Sequence, residues 1–183
     1  MTSNYSHKAL VFGSLSIDKI VNRYGTYSDV LGGSASYALL ATKKKECQLI
    51  GMVGSDFPKE HFNLLGNHSI NLDDLKIEEG KTFAWGGEYA HDFSSRETLY
   101  VDPGVSEKYI PILSEKAKQC EFLLLGNTHP SLQLTVLDQI ESKPFIILDT
   151  FKLYMDIAKN DLKKIISKSN LLCINYNEAV YLS

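Results

Sequence analysis

The sequence predicts an α/β fold, a mainly parallel sheet flanked by helices, with a small β element inserted into it. Three observations carry that prediction. Short, fully apolar runs alternate with stretches of helical spacing or composition. The runs end in glycine-bearing or polar loops, and one β-rich segment breaks the alternation.

Taken in order, residues 8–15 (KALVFGSL), 48–53 (QLIGMV), 122–125 (FLLL), 145–149 (FIILD) and 171–175 (LLCIN) read as buried strands. Between them, residues 34–45, 58–68, 131–142 and 161–168 read as helices. Pro58 suits a first turn, and Asp161 precedes Leu162 as a start signal. Right-handed crossovers follow for parallel strands joined by helices. Residues 82–100 (TFAWGGEYAHDFSSRETLY) place two β-rich runs around a polar loop and read as an inserted hairpin. No internal repeat, low-complexity tract or interdomain linker is visible.

Composition narrows the function classes. The 183 residues carry 44% hydrophobic and 22% charged side chains, the profile of an ordered globular chain. The net charge of −3 offers no electrostatic case for nucleic acid or an anionic membrane surface. Lys43-Lys44-Lys45 is the only basic run, and it suits the negative end of a helix dipole. The apolar stretches are far shorter than the ~20 residues needed to span a bilayer, and the polar N-terminus does not read as a signal peptide. Cys47, Cys120 and Cys173 have no metal-ligand spacing and read as small apolar fillers in a reducing compartment; the cytoplasm is the expected location. His7, His61, His68, His91 and His129 form no metal pattern.

In open parallel sheets, ligands sit beyond the carboxyl ends of the strands. The polar groups expected there are Ser16, Asp18, Gly32-Gly33, Gly54, Asn127, Asp149, and Asn175 with Glu178. Gly32-Gly33 opens a helix rich in small residues. Adjacent glycines allow close backbone approach to a ligand, and free amides at a helix start bind oxygen atoms; an ordinary tight turn reads equally well. Asp18 reads either as an acceptor for paired sugar hydroxyls or as a solvated turn residue. Asn175-Tyr176-Asn177-Glu178 reads from its residues as a strand exit and helix cap. Neither a GxGxxG after the first strand nor a GxxxxGK[ST] is present.

Four segments in this order, GSLSIDKIV, LGGSASYALLA, LIGMVGSDFP and INYNEAVYL, resemble the N-terminal part of the ribokinase-like (PfkB-type) carbohydrate and nucleoside kinases. KTFAWGGEY, RETL, LLLGNTHPSLQL and ILDT narrow the likeness to a subgroup described as sugar kinases. The resemblance covers essentially the whole chain and implies a Rossmann-like sheet carrying a small β lid. It assigns substrate binding to Asp18 and Ser16, to the diglycine Gly32 and Gly33, and to the following Ser34. Tyr37 stands where several members have asparagine, and Asn127, beside Thr128, stands where some place an acidic ligand. Asn175 and Glu178 match the N-x-x-E motif that organises phosphate and magnesium, often through water. No direct protein cage for a metal follows. ATP and Mg²⁺ are the implied cofactors and a sugar or nucleoside the implied substrate, with a homodimer formed through the lid. Lid elements are expected at about residues 17–24 and 82–100, within an incomplete domain spanning residues 1–183.

In these kinases an aspartate in a C-terminal G-A-G-D segment takes the proton of the attacking hydroxyl. No G-A-G-D occurs in this sequence, so the base is expected beyond Ser183 and no catalytic residue is assigned. Two expectations follow. The chain is the substrate-binding half of a kinase, or it is a non-catalytic sugar- or nucleoside-binding module, a decayed remnant of one. In either case, no ATP-dependent phosphorylation is expected from these residues alone.

Overall fold

Strand β1 (Ala9–Phe12) lies inside a six-stranded sheet because its neighbours cover it on both sides and both faces. The computed structural model describes residues 9–42 and 46–182. His7, Lys8, Ser183 and the Lys43-Lys44-Lys45 run lie outside the described residues, and with them the expected helix end at that run.

The elements after β1 are β2 (Ser16–Asn22), β3 (Gly25–Gly32), α1 (Ser34–Ala41), β4 (Cys47–Gly54), α2 (Lys59–His68), β5 (Leu75–Glu78), β6 (Ala84–Tyr89) and β7 (Arg96–Asp102). A short 3-10 helix (Gly104–Lys108) leads to β8 (Phe122–Leu125), α3 (Pro130–Asp138), β9 (Phe145–Asp149), α4 (Lys152–Ile157), α5 (Lys159–Lys168), β10 (Leu171–Cys173) and α6 (Tyr176–Leu182). The large sheet has the order β10-β9-β8-β1-β4-β5, and each of its pairings is parallel.

Apolar residues alternate between its two faces. Leu10, Phe12, Leu123, Leu125 and Leu148 pack with Val136, Leu162 and Ile165 of α3 and α5. Val11, Leu49 and Val53 pack with Ala35, Leu39 and Leu65 of α1 and α2. Because both faces are covered, these strands need apolar residues at every position, which is why they read as continuous runs. Truncating a fully buried member such as Leu10 to alanine costs about 2–5 kcal/mol.

A second sheet of four strands, β3-β2-β6-β7, is built from the N-terminal hairpin and the inserted hairpin. β2 pairs antiparallel with β3 and parallel with β6, and β6 pairs antiparallel with β7. The expected strand at 17–24 is therefore the first arm of a hairpin reaching to Gly32. The base of the second hairpin is pinned to the end of β4. Thr82, 1% exposed, donates its N–H and its hydroxyl to Asp56 Oδ1 (both 2.7 Å) and accepts the Gly54 N–H at 2.9 Å.

Candidate functional site

Strand order reverses between β1 and β8: the chain runs outward from β1 through β4 and β5, then returns to start β8 on the other side. Such a switch point opens a crevice at the carboxyl ends of the two strands. Here the start of α1 fills it. A Cβ on Gly13 or on Gly126 would lie 2.6 Å from Ser34 Oγ, so the two glycines leave room for that side chain. Ser34 is fixed reciprocally: its N–H donates to Ser14 Oγ at 3.0 Å and its Oγ accepts the Ser14 N–H at 3.2 Å. Ala35 N–H donates to Ser14 O at 3.0 Å.

The diglycine has two distinct jobs. Gly33 has φ 94° and ψ 144°, a region open essentially to glycine, and a Cβ there would lie 2.3 Å from Ser14 O. It turns the chain from β3 into α1. Gly32 pairs with Ser16, and a Cβ on it would lie 2.1 Å from Asp18 Oδ2 and 2.5 Å from Ser16 Oγ. Its missing side chain is the space that the Asp18 carboxylate occupies. Ser16 is buried, and Asp18 Oδ1 is buried with no hydrogen-bond partner among the described residues. Burial pushes the Asp18 carboxyl above the usual carboxylate range, opposed by the Ser16 hydroxyl, the Trp85 backbone N–H and the Arg96 charge.

A second group lines an open cleft of about 470 Å³ at the ends of β8, β9 and β10: Asn127, Asp149, Thr150, Cys173, Asn175 and Glu178. Asn127 Oδ1 and Thr150 Oγ1 are buried without partners among the described residues. Asp149 is raised by burial first and then by the Glu178 charge. Asn175 and Glu178 hold each other: Asn175 N–H donates to Glu178 Oε2 at 2.9 Å, and Glu178 N–H to Asn175 Oδ1 at 3.0 Å. This is a capping box at the start of α6, as the residue types alone suggest, and it sits on the cleft wall. Beneath the cleft, the fully buried Gln133 ties two strand ends together by donating to Gly126 O at 2.9 Å and Asp149 O at 3.0 Å.

Contacts thus join Ser16, Asp18 and Gly32 in one cluster, and Asn127, Asn175 and Glu178 in another, with Gly126 and Ser34 touching between them. Tyr37 is 60% exposed, and its hydroxyl is spent on Leu31 O at 3.1 Å. His129 caps α3, with Nδ1 accepting the Ser131 N–H at 3.3 Å. Sequence reasoning passed over Thr150 and Gln133. Thr150 follows the acidic end of a strand, a visible signal, whereas nothing local marks a mid-helix glutamine as a tie. Among the described residues, no group of three His, Cys, Asp or Glu is placed to hold a metal ion, and no helix is long and apolar enough to cross a membrane.

No protein-family model and no curated protein matches the chain. Solved structures do. A nucleoside kinase of Methanocaldococcus jannaschii, described as an archaeal member of the ribokinase family, aligns with TM-score 0.71 at 18% identity, over 98% of this chain and 64% of its own. A ribokinase from Cryptococcus neoformans var. grubii serotype A in complex with ADP aligns with TM-score 0.61 at 21% identity, over 79% of this chain and 51% of its own. A Burkholderia thailandensis nucleoside kinase in complex with inosine aligns with TM-score 0.70 at 13% identity, over 94% and 62%. At these identities the likeness establishes architecture: the fold is ribokinase-like. The chain spans roughly half to two thirds of the length of these neighbours.

Proposed function

We propose that this chain carries the substrate side of a sugar or nucleoside kinase, in which a substrate hydroxyl is the acceptor of the γ-phosphoryl group of ATP. One observation carries the reading. The Asp18 carboxylate is seated over Gly32 beside Ser16, with a buried oxygen that no described residue satisfies. An unpaired buried acceptor costs about 1–3 kcal/mol, and a ligand hydroxyl recovers it. A carboxylate can accept from two neighbouring hydroxyls at once, the pattern a sugar or ribose presents. The names of the structural neighbours support the same class.

ATP with Mg²⁺ belongs to this reading as cofactor, and when bound it supplies the transferred phosphoryl group. The donor set of the cleft suits a hydrated divalent cation. Asp149 and Glu178 repel across it, and a cation relieves that repulsion where a bare phosphate would worsen it. Asn127, Asn175 and Glu178 would hold such a group from the cleft wall, with Ser34 and Gly33 shaping the crevice beside it. The β3-β2-β6-β7 sheet acts as a lid that keeps water from the reacting hydroxyl. Its edge strand β7 exposes Leu99, Tyr100 and Val101, which supports a homodimer through this sheet; sedimentation velocity checks it, and a strictly monomeric chain rules it out.

The test is calorimetric titration of the chain with a panel of sugars and nucleosides. Asp18→Asn is expected to weaken the best ligand by at least ~10-fold with the fold intact, since charge-assisted hydrogen bonds are lost. Unchanged affinity overturns the assignment. The alternative reading is a non-catalytic sugar- or nucleoside-binding module. Ligand binding to the native gene product, with no transfer of phosphate, is its signature.

A further inference from the structure

The face of the second sheet that carries Asp18 also carries a charge that the reading above leaves idle. Asp18 pairs with Trp85, Gly87 with Thr98, and Tyr89 with Arg96, so these positions fall along one line across β2, β6 and β7. Contacts confirm a shared face. Trp85 Nε1 donates to Thr98 Oγ1 at 3.3 Å, and the Arg96 guanidinium carbon lies 5.2 Å from the centre of the Trp85 ring. A Cβ on Gly87 would lie 2.0 Å from the Trp85 ring, so the indole rests flat across that glycine. The result is a platform leading from the Asp18 carboxylate to the Arg96 guanidinium, and Arg96 is close enough for its charge to be felt at Asp18.

The Arg96 side chain is exposed and, beyond its contact with the Trp85 ring, makes no hydrogen bond or ion pair among the described residues. Its ladder neighbours Glu88 and Glu97 pair with each other one residue away from the Tyr89–Arg96 pair, so alternation sends them to the opposite face; Asp18, on the same face, feels the Arg96 charge without forming an ion pair with it. A guanidinium held over an indole keeps its in-plane N–H fork free, the geometry that recognises a carboxylate or a phosphate.

We infer that the substrate of this site is a sugar bearing an anionic group, its hydroxyls held by Asp18, its body lying on Trp85 and its anion taken by Arg96. The inference rests on the substrate-side reading of Asp18 and adds the charge class of the ligand. A neutral nucleoside leaves the fork unused. An acidic sugar uses both ends of the platform, and charge-assisted hydrogen bonds of this kind are worth roughly 10- to 100-fold in affinity.

Matched pairs test it by calorimetry: gluconate against sorbitol for a carboxylate, glucose 6-phosphate against glucose for a phosphate, with inosine as the neutral nucleoside. At least one anionic member is expected to bind ~10-fold or more tightly than its neutral twin. That ratio should shrink with added salt, fall to about one in Arg96→Met, and return in part in Arg96→Lys. Which pair shows the effect tells carboxylate from phosphate. Equal affinities within both pairs, a preference that survives Arg96→Met, or inosine binding more tightly than either anion overturns the inference and leaves the Asp18 assignment standing. Ligand binding indifferent to Asp18→Asn, or no binding by any probe, overturns that assignment first and this inference with it.

Discussion

Replacing each glycine of the pair by alanine is expected to separate folding from binding. At Gly33 the new Cβ would lie 2.3 Å from Ser14 O, 2.6 Å from Ser14 C and 2.8 Å from Leu15 Cα. All three are backbone atoms in the turn that holds α1, and none can rotate away. The backbone at φ 94° adds strain of about 1–3 kcal/mol, and forced displacement in a packed region adds about as much. The sum is roughly 2–6 kcal/mol; for a chain of this size each kcal/mol lowers the melting temperature by ~2–4 °C. Gly33→Ala should therefore melt about 5–20 °C below wild type. At Gly32 the new Cβ meets only side-chain ends, Asp18 Oδ2 at 2.1 Å and Ser16 Oγ at 2.5 Å. The carboxylate can swing aside, and alanine in a strand recovers ~0.5–1 kcal/mol of chain entropy. Gly32→Ala should keep its melting temperature within a few degrees while losing ~10-fold or more in ligand affinity. Thermal melts followed by circular dichroism, paired with calorimetry, read both quantities. A Gly32→Ala variant that binds like wild type, or a Gly33→Ala variant that melts like it, refutes the division of labour.

Asp149 gives a pH signature. Burial and the Glu178 charge raise its folded-state value, so the native state holds the proton more tightly than the unfolded chain. The stabilisation from that proton is full below the ordinary value of 3.8 and is lost as pH rises through the folded value. Asp149→Asn cannot lose it, so the variant should gain on wild type in melting temperature as pH rises above the ordinary carboxylate value; a constant difference counts against the reasoning. Thr82→Val removes the hydroxyl bond to Asp56, keeps the backbone N–H bond, and leaves the Gly54 N–H without its acceptor, costing about 1–3 kcal/mol in thermal melts. A neutral result there would mean that the base of the inserted hairpin is not anchored by this side chain.

Most of the large sheet was legible in the sequence because its strands are covered on both faces. β8 and β9 coincide with the runs FLLL and FIILD for that reason. β3 escaped notice: GTYSDVLG is exposed over its first five positions, so only its pairing with β2 marks it as a strand. α4 was missed because a helix of six residues with Met155 as its only buried side chain leaves no period to read. At the site, Asp18 and the diglycine were identifiable by residue type, but the contact that makes them one unit depends on β2–β3 register. Asn175 and Glu178 were readable locally as a cap; that the cap forms the wall of a cleft with Asp149 and Thr150 needs the sheet order. Gln133 and the Trp85–Arg96 platform depend on packing between elements, and no local pattern announces such pairs.

The most direct test of the account is the thermal shift of wild type and Asp18→Asn side by side in the presence of sugars and nucleosides. A ligand at about 100 times its Kd adds ~2.7 kcal/mol of stability, which is a shift of roughly 5–10 °C here. The account predicts that at least one compound produces this dose-dependent rise in the wild type and no more than about half of it in Asp18→Asn. An equal rise in both proteins contradicts it, because the ligand would then be held somewhere other than the carboxylate seated over Gly32.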